Sequence, residues 1–148
     1  MSEQVTPEVA IEMVNGILKS HGMENPDDCR EDGADGVVSW SMDSGSALIW
    51  LTIRKAGEGY ISITSPLVRL PAGDAAPVLR HCLEQNSTLP ITLSLNGDVI
   101  FAGAGRTLVD LDQSEVEAMI GLVAGYADKL DNQLAEQFGC EMIGEDPE

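Results

Sequence analysis

The stretch VVSWSMDSGSALIWLTIRKAGEGYISIT, residues 37–64, sets the architecture because apolar side chains recur in it at every second position. Such alternation indicates strands that bury one face. Turn-forming residues interrupt the pattern at 43–45 and again at 57–59. Because both interruptions are short, we predict an antiparallel meander. The first strand is expected to begin at Val37, the second to cover Ala47–Arg54 and the third to cover Tyr60–Thr64.

Three helices are predicted around these strands from capping residues and helical spacing. Thr6 and Pro7 are typical of a helix start, and Gly22 is expected to end that first helix. Asp74 can cap a second helix that ends within Asn86–Pro90. The segment Asp112–Glu115 has the spacing of a capping box. The third helix is therefore expected to cover Gln113–Phe138, and the acidic stretch Glu24–Gly36 to form an exposed loop.

A second pair of strands is predicted between the last two helices. Asn96-Gly97 favours a two-residue hairpin turn between Ile91–Leu95 and Asp98–Ala102. Gly103-Ala104-Gly105 is expected to kink the strand or to form a bulge. The resulting order, α-β-β-β-α-β-β-α, indicates an α+β fold with an antiparallel sheet. We expect one domain, residues 1–139, followed by a mobile acidic tail, residues 140–148.

The net charge of −17 and the pI near 4.1 limit the classes of partner. An acidic surface repels phosphate backbones, so we expect no nucleic-acid binding, whereas basic or amphipathic protein segments are attracted. We also expect no membrane span, since apolar runs stay well below the roughly 20 residues that a span needs. Three cysteines and no recognisable export signal favour a reduced, cytoplasmic protein.

Known catalytic and metal-binding patterns do not fit the chain. Asp28–Ser39 fails as a calcium loop because Arg30 would occupy the third ligand position and Ser39 the twelfth. The pair Gly103 and Gly105 lacks the remaining features of a nucleotide loop. His81 and Cys82 are adjacent on a helix, point in different directions, and read as a surface histidine beside a core cysteine. We therefore predict no enzyme activity, no cofactor and no metal.

Strand alternation predicts one sheet face that a partner could use. The buried face is expected to carry Ile49, Leu51, Ile53, Ile61 and Ile63 from the meander, and Ile91, Leu93, Leu95, Ile100 and Ala102 from the hairpin. The opposite face then carries five large apolar residues among serines and threonines: Leu48, Trp50, Tyr60, Val99 and Phe101. This face either contacts a partner or lies under the second helix. Leu79 and Leu83 form a further apolar strip on that helix, which a dimer could bury.

Several segments resemble the YbjN-domain family, whose fold is similar to that of type III secretion chaperones. They are the run Ser65-Pro66-Leu67-Val68-Arg69-Leu70-Pro71, the helix end Leu83-Glu84-Gln85-Asn86-Ser87-Thr88-Leu89, the turn Asn96-Gly97-Asp98, the cap Asp110-Leu111-Asp112 and the terminal helix. The similarity extends from about Val37 to Gly139. It implies non-catalytic protein binding by a homodimer. No family pattern covers the Glu24–Gly36 loop or the tail.

These observations predict a non-enzymatic protein-binding module, either chaperone-like or a regulator of sensory transduction. A type III secretion effector chaperone and a small-molecule sensor are the alternative functions. The partners expected are a second copy of the chain and a protein client.

Overall fold

A computed structural model describes residues 5–45 and 47–143. Two short 3-10 turns, Pro26–Cys29 and Ala34–Gly36, flank the first strand. The helices are α1 (Pro7–Ser20), α2 (Ala76–Gln85) and α3 (Gln113–Phe138). The strands are β1 (Arg30–Asp32), β2 (Val37–Ser44), β3 (Ala47–Arg54), β4 (Tyr60–Arg69), β5 (Thr92–Asn96), β6 (Val99–Thr107) and β7 (Glu141–Met142).

The strands of the described residues form one antiparallel sheet in the order β1-β2-β3-β4-β6-β5, and β7 pairs with β4. The α+β class and the predicted order of helices and strands are confirmed. Two very short strands, β1 and β7, are additions to that order. Because β5 pairs only with β6, it lies at an edge of the sheet.

The core lies between one sheet face and the three helices. Helix α3 contacts β2, β3, β4 and β6, whereas α1 contacts α3 and β3, and α2 contacts α3 and β5. Five side chains of the central strands have no exposed surface, as predicted: Ile49, Leu51, Ile53, Ile61 and Ile63. Trp40 on β2 shares this face and is also fully buried. The helices therefore cover a single face of the sheet.

Two helix starts follow the predicted capping chemistry. The Thr6 hydroxyl accepts a hydrogen bond from the Val9 amide at 3.2 Å. At α3, the Asp112 carboxylate accepts from the Glu115 amide at 2.9 Å, and the Glu115 carboxylate accepts from the Asp112 amide at 3.0 Å. Arg106 of β6 pairs with that same glutamate at 2.5 Å. The glutamate of the capping box thus also ties β6 to α3.

The acidic stretch Glu24–Gly36 is not a plain loop, and that prediction is wrong. Its residues Arg30–Asp32 pair with β2, so that Arg30 lies opposite Trp40. The Arg30 guanidinium lies over the Trp40 ring, 5.9 Å from its centre, in a cation–π contact. Strand β1 is defined by its pairing with β2 and by this contact. Neither interaction requires alternating apolar residues, so the sequence pattern did not indicate a strand here.

The hairpin differs from its prediction in register. Asn96 pairs with Val99, so Gly97 and Asp98 form the turn, and Gly97 adopts a φ of 63°. A glycine at the first central position suits a type II′ turn. The register moves by two residues relative to the expected Asn96-Gly97 turn. Because two residues complete one strand period, the faces stay as predicted.

The glycine segment of β6 neither kinks nor bulges, contrary to expectation. Strand β6 continues through Gly103 and Gly105 to Thr107, and the irregularity lies in β4 instead, between Pro66 and Val68. Strand β4 therefore continues beyond Thr64, where the predicted strand ended, to Arg69. Proline at a bulge is compatible with a strand because a bulge already interrupts the ladder.

The beginning of the predicted tail is part of the sheet. Cys140 is buried, and Glu141 and Met142 lie opposite Arg69 and Val68 of β4. Residues 144–148 lie outside the described residues. Within 5–45 and 47–143, no helix combines the length and apolarity that a membrane crossing requires.

Gly59 in the turn between β3 and β4 gives a test of the fold. Its φ is 84°, and a Cβ built there would lie 2.5 Å from Leu108 Cδ1. Gly57 in the same turn has a φ of 62°, and a Cβ there would meet no neighbouring atom within 4 Å. Gly57→Ala should cost about 1 kcal/mol of unfolding free energy from backbone strain alone. Gly59→Ala should cost about 2 kcal/mol or more, because crowding of Leu108 is added. Equal urea midpoints for the two variants would contradict this packing.

Candidate protein-binding surfaces

The sheet surface turned away from the three helices, called the open face below, carries the five predicted apolar residues. Register places Trp50 opposite Thr64, and Thr64 opposite Gly103. Tyr60 is 41% exposed and Leu48 is 37% exposed. The other three, Trp50, Val99 and Phe101, are partly buried by their strand neighbours. The structure thus brings the predicted residues onto one surface, and α2 does not cover it.

Two glycines make a shallow groove in the open face. A Cβ at Gly105 would lie 2.7 Å from the Tyr60 hydroxyl oxygen, so the tyrosine ring occupies the space above that glycine. A Cβ at Gly103 would approach Thr64 Cγ2 to 3.0 Å. The groove measures about 250 Å³, and Thr92 and Ser94 of β5 form its far side. The two glycines therefore leave room for the Tyr60 ring and for the groove beside it.

The centre of the open face carries no charge. The positions around Trp50 are threonines, serines and glycines: Thr52, Ser62, Thr64, Thr92, Ser94, Gly103 and Gly105. Charged residues on this side lie at the rim: Arg54 opposite Tyr60, Arg69 opposite Val99, Asp43 opposite Leu48, and Glu31 of the edge strand β1 opposite Ser39. The rim thus carries two basic and two acidic residues, and the open face is close to neutral in a chain of net charge −17.

A second apolar surface, the α2 groove, lies between α2 and the edge of the sheet. Leu83 is 72% exposed and Leu95 is 47% exposed at its rim, and Leu93 is buried at its base. The groove measures about 260 Å³ and is lined almost entirely by apolar atoms. Its lining residues are Leu79, Cys82, Leu83, Leu93, Ser94, Leu95 and Ile100. The predicted strip of Leu79 and Leu83 is therefore one wall of a groove.

The two surfaces meet at β5. Ser94 lines both the glycine groove of the open face and the α2 groove. A segment that lies in one groove can therefore continue around the sheet edge into the other. The sequence prediction named the helical wall of the α2 groove but missed its sheet wall, which Leu93, Leu95 and Ile100 provide. The alternating pattern had assigned all three residues to the core. Leu95 is exposed because β5 is an edge strand, which can be recognised only from the strand order of the sheet.

The histidine and the two cysteines near the α2 groove lack the features of a catalytic site. His81 was predicted to be on the surface, but its ring packs 5.1 Å from that of Phe138, centre to centre. Burial, with the nearby Cys140 thiol adding to it, raises the pKa of Cys82 to about 11. Burial also raises the pKa of Cys140. Both thiols are thus protonated and weakly nucleophilic at neutral pH. Among the described residues, no cluster of three His, Cys, Asp or Glu side chains could hold a metal.

Neighbouring residues of β3 test whether the open face is uncovered. Leu51→Ala removes a fully buried side chain and should cost about 2–5 kcal/mol of unfolding free energy. Trp50→Ala, one position along, should cost less than Leu51→Ala although it deletes more atoms, because solvent already reaches the indole. Urea denaturation of both variants measures this. A larger loss for Trp50→Ala would mean that the open face is packed interior.

Comparisons with known proteins agree with this architecture. A family profile described as "T3SS (YopN, CesT) and YbjN peptide-binding chaperone 1" matches residues 8–146. No curated protein sequence matches the chain. The solved ExsC-ExsE complex has 12% identity and a TM-score of 0.65 over 90% of this chain and 97% of that chain. The HopA1-SchA chaperone-effector complex has 10% identity and a TM-score of 0.57, over 83% and 93% respectively.

At these identities the two structures establish the fold, and the family profile establishes the relationship. The predicted resemblance and the predicted chaperone-like class are confirmed. Because the profile extends over nearly all of the sequence, the chain belongs to the TY-Chap1 family of T3SS and YbjN peptide-binding chaperones.

Proposed function

We propose that the protein is a non-enzymatic, homodimeric chaperone that binds a basic or amphipathic segment of a client protein. The observation that carries the proposal is the open face: aromatic side chains on a neutral surface of a strongly acidic chain. Tyrosine and tryptophan provide large contact areas at low entropic cost, and serine and threonine provide adaptable hydrogen bonds. Such a surface suits a client whose sequence varies.

Charge supports the choice of client. The acidic field of the chain attracts a basic segment over a distance of about one Debye length, roughly 8–10 Å at physiological salt. The client segment then contacts the neutral centre of the open face. Because this centre has no carboxylates, binding there does not remove water from a charged group. The field thus raises the association rate, and apolar contact with Trp50, Tyr60 and Phe101 supplies affinity.

The size of the grooves favours a protein over a small molecule. The glycine groove and the α2 groove measure about 250 and 260 Å³, and both are open to solvent. Small-molecule sites are usually enclosed and measure about 300–1,000 Å³. An extended segment fits better because it can use both grooves around Ser94. The sensor function is therefore the weaker alternative.

The α2 groove supports a homodimer. Helix α2 carries the exposed Leu83 beside the groove, so each copy offers a ridge and a cavity, as a two-fold interface requires. The helix carries one base, Arg80, and one acid, Glu84, which pair at 3.2 Å. Helix α3, in contrast, carries five acids and one base: Glu115, Glu117, Asp128, Asp131, Glu136 and Lys129. Two copies of an acidic chain repel each other least along α2.

A cytoplasmic location is part of the proposal. All three cysteines are free thiols in the structure, and Cys82 and Cys140 are buried. This arrangement suits a reducing compartment. One of the two similar solved structures is a chaperone-effector complex, which supports a secretion effector as a second candidate client.

Leu83→Ala tests the dimer. Removal of this exposed side chain should weaken self-association by more than about 1 kcal/mol, or roughly fivefold, without loss of folding stability. Val9→Ala is the matched control, since Val9 on α1 is 47% exposed and lies outside the α2 groove. Sedimentation velocity over a dilution series measures the dissociation constant. A wild-type monomer at tens of micromolar, or equal effects of both variants, would contradict the α2 interface.

A synthetic peptide of alternating leucine and lysine tests client binding. Trp50→Ala and Phe101→Ala should each reduce its affinity at least about fivefold, which corresponds to a loss of about 1 kcal/mol or more, and added salt should slow association. A leucine–glutamate peptide is the matched probe and should bind much more weakly. Val9→Ala should leave affinity unchanged. Binding that ignores both aromatic substitutions would remove the open face from the proposed function.

A further inference from the structure

The edge strand β5 is hydrogen-bonded on its outer side by a side chain. Asn86, the residue after α2, holds both backbone groups of Leu93. The Leu93 amide donates to Asn86 Oδ1 at 2.7 Å, and Asn86 Nδ2 donates to the Leu93 carbonyl at 3.1 Å. The carboxamide thus makes the pair of bonds that one residue of a neighbouring strand would make.

Topology explains why these groups need a partner. Asn96 and Val99 close a two-residue hairpin, so bonded and non-bonded pairs alternate back along β5. Leu93 lies opposite Ala102 in a non-bonded pair, and its N–H and C=O therefore point away from β6. Leu95 has the same outward orientation. An unsealed β5 would present both residues as a template for a further strand.

The sequence of β5 lacks the residues that usually prevent another strand from pairing with an exposed edge. Residues 91–96, Ile-Thr-Leu-Ser-Leu-Asn, carry no charge and no proline, although the chain as a whole is strongly acidic. Charged side chains or proline usually protect an exposed edge, and this segment has neither. Local charge repulsion therefore does little to keep a second β5 away.

We propose that Asn86 seals the edge of β5 against strand addition and so determines how a second copy occupies the α2 groove. With the Leu93 backbone occupied, the second copy engages the groove through side chains of its helix, not through a continuous sheet. This inference rests on the proposed homodimer for the identity of the occupant. The seal itself rests only on the two hydrogen bonds and the strand order.

The chemistry of asparagine suits this role. A single carboxamide offers both an acceptor and a donor at the spacing of a peptide group, whereas aspartate lacks the donor and serine is too short. The Asn86 backbone amide donates to the Cys82 carbonyl, which fixes the residue to the end of α2. The seal therefore also ties the end of α2 to β5.

Asn86→Ala tests the seal by two measurements. Amide exchange at Leu93 should become about tenfold faster or more, as expected when one hydrogen bond is lost. Sedimentation velocity should show species larger than the wild-type assembly. Adding Leu95→Pro should remove the species larger than the wild-type assembly, because proline removes an outward donor without touching the ladder to β6. Leu95 also lines the α2 groove, so the readout is the loss of those larger species and not the stability of the dimer. Ser87→Ala is the matched control, since its hydroxyl bonds only the Glu84 carbonyl of α2.

Three results would overturn the proposal. One is faster Leu93 exchange in Asn86→Ala with an assembly identical to wild type. Another is growth that Leu95→Pro does not reverse, because general destabilisation would then explain it. If Asn86→Ala does not fold, amide exchange of the wild-type protein provides the test. The Leu93 amide should then be protected to the same order as the Ser94 amide, and an unprotected Leu93 amide would refute the seal. A monomeric wild type would instead refute the homodimer, while Asn86→Ala would still test the edge.

Discussion

The burial of one face of β3 and β4 under α3 organises the whole molecule. The side chains of Leu51 and Ile63 lie opposite each other on this face and have no exposed surface. Since α1 and α2 also contact α3, all three helices gather on the same side of the sheet. The other side keeps its aromatic residues without a helix to cover them. The open face is thus a consequence of how the core is built.

Much of this was predictable, since it depends on local patterns. Alternation identified the central strands, and the acid at Asp112 with the acid at Glu115 identified the start of α3. The assignment of hairpin side chains to the two sheet faces was correct although the predicted register was wrong, because the error was two residues, one full strand period. The position of α2 was not predictable, since it depends on contacts with α3 that are distant in sequence. Strands β1 and β7 were missed because pairing with their neighbours, not an apolar pattern, defines them.

The two candidate surfaces combine at β5 for a physical reason. An edge strand exposes side chains to both layers of the fold, so Ser94 reaches the open face and Leu95 reaches the α2 groove. Asn86 occupies the backbone of the same strand. Backbone pairing is thereby restricted while side-chain contact stays available. The high negative charge acts in the same sense, because it disfavours contact between copies except where the surface is neutral.

The two tryptophans report directly on whether the helices cover only one face of the sheet. Trp40 is fully buried on the core face, and Trp50 lies on the open face. Hydroxyl-radical footprinting of the native protein, read by mass spectrometry, compares them in one molecule. We predict that Trp50 is oxidised several times faster than Trp40, and that a bound leucine–lysine peptide protects Trp50 alone. Equally slow oxidation of both residues in the free protein would contradict a one-sided helical layer.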